Sequence, residues 1–200
     1  MSLPEAEKDR FAGQVVLVTG AGKGTGRRVA EAFAARGALV AANDVTPVNL
    51  DETVARILAT GGHVEAYVED IAKKMPVQTL LNQVLDDHGR IDILVNCAAV
   101  EPTRSLLEMD DWDWQRTIEV DLTGLFLLIQ STGRIMKERN TGIIIHMLRH
   151  AGEVKGHAAF NAARAGAAAL IRTAAQEFAE FGVRVRLAQS LEEVLEVCVP

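Results

Sequence analysis

The stretch TGAGKGTG, residues 19–26, constrains the fold more than any other part of the sequence. It follows an apolar run at residues 15–18 and precedes a helical apolar pattern at Val29, Ala30, Ala32, Phe33 and Ala34. Strand, glycine-rich turn and helix, in that order, is the context in which a glycine cluster carries chemistry. Glycines permit the tight turn and let a pyrophosphate approach the backbone where a Cβ would stand in the way. The helix that follows offers free N–H groups and a partial positive charge to such an anion.

The rest of the chain repeats the alternation. Short β-rich runs at residues 15–19, 38–43, 63–68, 91–95, 142–147 and 183–188 read as strands. Longer amphipathic stretches at 26–36, 49–60, 77–88, 110–138 and 160–180 read as helices. Gly37, Gly61 and Gly182 follow three of them, where a left-handed exit suits glycine. Ser190-Leu191-Glu192-Glu193 matches a capping box and predicts a short last helix. Alternating strands and helices predict an α/β fold with a parallel sheet covered on both faces. Right-handed crossovers and the opening turn point to a Rossmann-type order, 3-2-1-4-5-6, in one domain over residues 1–200.

Composition narrows the function classes. A hydrophobic content of 48% supports a packed core, and a formal net charge of -6 gives no support to nucleic-acid binding. No apolar run reaches membrane-spanning length, and the first ten residues lack the apolar core of a signal peptide. Cys97 and Cys198 are too few for a disulfide framework or a zinc site, so no metal is expected and a reducing cytoplasm is the default compartment.

Asp44 ends the second strand. A carboxylate there accepts both hydroxyls of an adenosine ribose and repels a 2′-phosphate, which favours NAD over NADP. Lys23, in the glycine loop, pulls weakly toward NADP because it can meet a phosphate. Repulsion excludes while a flexible lysine merely tolerates, so Asp44 weighs more.

These residues carry a resemblance. TGAGKGTG resembles the TGxxxGxG of the short-chain dehydrogenase/reductase family, and Asp44 stands where that family's NAD-selecting Asp stands. Asp70, followed by Ile71, matches the family's adenine-contacting Asp. NCAA, residues 96–99, resembles the NNAG motif beside the cofactor, with departures at Cys97 and Ala99. VDLTG at 120–124 resembles VNLTG, and FNAARAG at 160–166 resembles YSASKAG. The alignment runs from about residue 14 to 188 with the motifs in family order. It implies cofactor contacts at Gly20, Gly22, Lys23, Gly24, Thr25, Gly26, Asp44, Asp70, Ile71, Asn96, Ala98 and Arg164.

The resemblance also implies a catalytic set, and this chain differs at every member of it. In the family a tyrosine exchanges a proton with the substrate oxygen, a lysine lowers its pKa and holds the nicotinamide ribose, a serine binds the substrate oxygen, and an asparagine anchors a water. Here those positions hold Phe160, Arg164, Arg149 and Asp121. Phe160 has no proton to give, and losing such a group costs orders of magnitude in rate. His146, His150 and His157 are nearby in sequence, the first in a strand and the others in loops. Arg149 and Arg164 suit an anionic ligand, and Arg164 equally suits an ion pair with Asp121.

After Val183-Arg184-Val185-Arg186 the family has a substrate-binding lid, a last helix and a seventh strand. This chain has LAQSLEEVLEVCVP, so the lid and seventh strand are expected to be absent. Family members form dimers or tetramers through the two long helices, and Leu125, Phe126, Leu128, Ile129 and the small residues at 165–169 suit either such packing or the monomer core. The expectation is a relative that binds NAD(H) with conventional carbonyl and alcohol chemistry lost or much reduced. The alternatives are an active NAD(P)-dependent oxidoreductase with a non-standard site, and a structural or regulatory partner of an active relative.

Overall fold

The computed structural model describes residues 4–148, 153 and 155–198. The chain enters through a short helix α1 (Glu5–Lys8) and runs β1 (Val15–Thr19), α2 (Gly24–Ala34), β2 (Leu39–Asp44), α3 (Pro47–Ala59), β3 (His63–Val68), α4 (Lys74–His88) and β4 (Ile93–Asn96). It continues through α5 (Asp111–Ile118), a π-helical segment (Glu119–Gly124), α6 (Leu125–Glu138), β5 (Gly142–Met147), α7 (Ala158–Phe178), β6 (Val183–Ala188) and α8 (Leu191–Val197). Among the described residues the strands form one sheet in the order β3-β2-β1-β4-β5-β6, with every pairing parallel. This is the doubly wound order expected from the alternation of elements.

The central strands β1, β4 and β5 are buried at every position because both faces are covered, while edge strand β3 exposes His63 and Glu65 and edge strand β6 exposes Arg186. Side chains alternate across a strand, so each strand feeds two cores. Val16 and Val18 pack on one face with Val29, Phe33, Leu50 and Val194 from α2, α3 and α8. Val15 and Leu17 pack on the other with Leu80, Leu125, Leu128 and Ile171 from α4, α6 and α7. Leu125, Leu128, Ile129 and Ala167 are thus monomer core, while Phe126, Ala165 and Ala169 face outward.

Gly37, Gly61 and Gly182 take positive φ of 83°, 79° and 69°, as their places after helices require. At α8, Ser190 Oγ accepts the Glu193 N–H at 3.2 Å, and the Glu193 carboxylate accepts the Gln189 N–H at 2.6 Å. The predicted helix 110–138 is interrupted: its middle widens into the π segment that carries Asp121. An amphipathic pattern reports which face is apolar, and one extra residue in a turn leaves that pattern readable. Among the described residues no helix is long and apolar enough to cross a membrane.

Candidate active site

The parallel strands all end on one side, and the connections from β1 and β4 leave to opposite flanks there. Such a switch point opens a crevice beyond the strand ends. Here it is a cleft of about 350 Å³, lined by the glycine loop, the ends of β2 and β3, residues 97–100, Arg116 and Val120. Gly20, Lys23, Gly24, Thr25, Gly26, Asp44, Asp70, Ile71 and Ala98 line it.

The glycine loop is held from behind. Thr53, fully buried on α3, donates its hydroxyl to the Ala21 carbonyl at 2.9 Å. Arg27 Nε donates to the Gly22 carbonyl at 3.1 Å, and its guanidinium pairs with Glu52 at 2.8 Å. The loop's carbonyls are thereby turned away from the cleft. The N-terminus of α2 has no side-chain cap, so its first N–H groups are available to an anion. Gly22 does not line the cleft; its N–H is taken by Asp44 Oδ2 at 2.9 Å.

Asp44 Oδ1 accepts the Thr46 N–H at 2.9 Å, so backbone bonds on both oxygens fix the carboxylate at the rim. Asp70 sits beyond the end of β3. Its Oδ1 accepts the Ala72 N–H at 3.0 Å, and its Oδ2 lies 3.0 Å from Arg116 Nη1. Burial raises the Asp70 pKa, but the Arg116 and Ala72 hydrogen bonds and the Arg116 charge outweigh it and hold the carboxyl below its usual range. Sequence reasoning missed Arg116. The available signal was its spacing of one turn from Val120, which puts both on one helix face.

Asn96 is fully buried behind the cleft rather than in its lining. Its Oδ1 accepts the Thr19 hydroxyl, and its Nδ2 lies 3.1 Å from His146 Nδ1. Since the amide nitrogen can only donate, His146 Nδ1 accepts and the neutral ring carries its proton on Nε2. Burial pushes the His146 pKa down to about 4, against a smaller upward pull from Asn96. His146 is therefore neutral near pH 7.

A second, much smaller cavity is lined by Ala99, Asp121, His146, Met147, Leu148, Phe160 and Arg164. Three of the four family catalytic positions thus converge, and Arg164 belongs to this cavity rather than to the larger cleft. Asp121 Oδ1 accepts the Val100 N–H at 2.7 Å, which ties the π segment to the chain after β4. Arg149, the fourth position, and His150 lie outside the described residues. His157 immediately precedes α7, and its Nδ1 stands 3.3 Å from a Glu101 carboxylate oxygen. Tyr67, the sequence's one tyrosine, is on edge strand β3 and far from Phe160 in the strand order. Its hydroxyl lies 2.8 Å from Asp87 and 2.9 Å from Glu65, and burial followed by these two bonds pushes its pKa well above the usual range. Among the described residues no group of His, Cys, Asp and Glu side chains is arranged to hold a metal.

Comparison with known proteins agrees with this geometry. A family model for short chain dehydrogenases matches residues 14–190. The chain is 38% identical over 175 residues to a 3-oxoacyl-[acyl-carrier-protein] reductase of Synechocystis sp., a match covering 86% of this chain and 71% of that protein. It is 35% identical over 178 residues to a D-threitol dehydrogenase of Mycolicibacterium smegmatis, covering 88% and 68%. Among solved structures, a metagenomic short-chain oxidoreductase in complex with NADP superposes with a TM-score of 0.88 at 29% identity, covering 94% of this chain and 91% of that one. NAD+-bound xylitol dehydrogenase superposes with a TM-score of 0.84 at 27% identity, covering 90% and 70%.

Proposed function

The chain belongs to the short chain dehydrogenase family, and from that premise we propose that it binds NAD(H) in the larger cleft while the family's proton relay is lost or much reduced. The nicotinamide supplies or accepts the hydride in this family's chemistry. This chain's residues fit the dinucleotide unevenly. The uncapped start of α2 suits the pyrophosphate, and the fixed Asp44 carboxylate suits a ribose and disfavours a 2′-phosphate. Asp70 and Ile71 suit the adenine end, and residues 97–100 lead from the cleft toward the smaller cavity.

The observation that carries the second half is the lining of that cavity. Phe160 stands there with Asp121 and Arg164, and a phenyl ring neither donates nor accepts a proton. The sequence has no second tyrosine to replace it near the site. Titration of NAD+, NADH, NADP+ and NADPH, with a broad carbonyl and alcohol screen, tests both halves. Binding of NAD(H) without turnover is expected. Turnover at rates ordinary for the family would defeat the second half, and absence of any binding the first.

One contact favours a second reading, an oxidoreductase with a rearranged site. Glu101 pairs with His157 three residues before Phe160, and a carboxylate-oriented imidazole is a competent proton donor. If a turnover is found, His157→Gln should abolish it; survival would remove His157 from the mechanism. Self-association through the outward faces of α6 and α7, at Phe126, Ala165 and Ala169, is a further expectation that sedimentation tests. A concentration-independent monomer would exclude it.

A further inference from the structure

β3 is an outer strand of the sheet, and among the described residues it pairs with β2 alone. Alternate residues of such a strand turn their N–H and C=O groups to the open side, where an extended chain can pair with them. Sheet edges are commonly blunted by proline, lysine or a bulge. The sequence of β3, HVEAYV, holds neither residue, and its six positions pair with β2 in unbroken register.

The two sides of this edge differ. Side chains alternate across the strand, so Tyr67 packs into the core against α4 while Val64 packs toward α3. On the α4 side an open groove of about 520 Å3 runs between strand and helix. Glu69, Asp86 and Asp87 line it, and no lysine or arginine does. On the α3 side Leu58 and Val68 are exposed.

The Tyr67 hydroxyl has one proton, yet it lies 2.8 Å from Asp87 Oδ2 and 2.9 Å from Glu65 Oε2. His88 Nε2 stands 3.3 Å from the hydroxyl and 3.4 Å from Glu65 Oε2, and it can supply one more proton. The hydroxyl proton serves one carboxylate, so at the other an oxygen faces an oxygen. A lysine ammonium or arginine guanidinium approaching along the groove relieves this, because it brings several donors at once.

We propose that the open edge of β3 accepts an extended segment of another protein in which lysine or arginine alternates with apolar residues. Such a segment adds a strand outside β3 through main-chain hydrogen bonds. Its basic side chains meet Glu69, Asp86 and Asp87, and its apolar ones meet Leu58 and Val68. A second copy of this chain is a poor occupant. Two β3 strands side by side bring Glu65, Asp86 and Asp87 toward their own counterparts, and like charges oppose that pairing.

Calorimetric titration of the full chain with the peptide acetyl-(Lys-Val)4-amide, joined to hydrogen exchange, tests this. The peptide should bind and should slow exchange within β3. A peptide of the same composition with its lysines and valines in two blocks should bind at least about tenfold more weakly, as should one N-methylated at alternate residues. Asp86→Asn with Asp87→Asn, both exposed, should weaken binding about fivefold or more. Asp9→Asn with Glu138→Gln makes the same charge change at exposed positions elsewhere and should not. Equal affinity for the block peptide, or protection outside β3, would mean charge attraction alone and overturn the proposal. Absence of binding at millimolar peptide would overturn it too, as would a dimer of this chain whose β3 is protected without peptide. None of these readouts depends on the dinucleotide.

Discussion

A Cβ placed on Gly20 would stand 2.7 Å from both the Cα and the amide nitrogen of Ala98. Gly20 also has φ of +65°, a conformation that side chains other than glycine's rarely adopt. The turn after β1 and the chain after β4 therefore touch backbone to backbone, and this contact shapes the floor of the cleft. Gly20→Ala should be strongly destabilising and should abolish dinucleotide binding. Gly13→Ala is the control, since Gly13 has φ of +74° but open space around its Cα. The control should lose only the conformational cost of about 1–2 kcal/mol. Thermal melts of the two variants should separate by several degrees; equal melts would mean that the contact with Ala98 relaxes freely.

The proposed preference for NAD over NADP rests on Asp44. Replacing it with Asn removes the charge that repels a 2′-phosphate and keeps an acceptor for one of the two backbone N–H groups it now binds. The ratio of NAD to NADP affinity should fall by about tenfold or more in Asp44→Asn. Titration of both dinucleotides reads this directly. An unchanged ratio would mean that Lys23 or another cation governs the choice.

Restoration tests the proposed loss of catalysis. Phe160→Tyr by itself should yield little, because groups that act together are strongly non-additive. Combined with Arg164→Lys, Asp121→Asn and Arg149→Ser, it should raise carbonyl reduction by about a hundredfold or more. Stopped-flow or steady-state NADH consumption with a panel of ketones measures it. A quadruple variant that folds, binds NADH and remains inert would locate the defect outside these four positions.

His146 predicts a pH dependence of stability. Burial pushes its folded pKa down to about 4, below the ordinary imidazole value of 6.5, so between these values the unfolded chain is protonated and the folded one is not. Its contribution is therefore complete above the unfolded pKa and is lost progressively as pH falls toward the folded one, at up to about 1.4 kcal/mol per pH unit. Urea unfolding at several pH values should show a shallower slope in His146→Gln than in wild type. Identical slopes would place the acid sensitivity elsewhere.

The legible parts of this protein were those written locally. The turn after β1 needs glycines at fixed spacing between a strand and a helix, and all its conditions lie within about thirty residues of chain. The sheet order follows from the alternation of elements, because handedness leaves few ways to wind them. Asp44 was readable because the end of a strand also fixes its place at the cleft.

The illegible parts were pairings between distant segments. Arg116 and Asp70 are 46 residues apart, and Asn96 and His146 are 50 apart. Asp70 and Asn96 stand out by their motifs, but nothing along the chain pairs them with Arg116 and His146. Only folding brought Arg116 across to the end of β3 and buried His146 beside Asn96. The π segment was equally hidden, since Asp121 reaches the Val100 N–H through a local widening that the apolar pattern does not report.

The sequence by itself determined the family and the sheet order, because these depend on residue type and on short-range backbone conformation. Tertiary structure decided which polar groups are already engaged: Gly22 with Asp44, Asp70 with Arg116, Asn96 with Thr19 and His146. The reason is physical. Whether a side chain is available to a ligand depends on what lies within about 3 Å of its polar atoms, and that distance is set by packing, not by position along the chain.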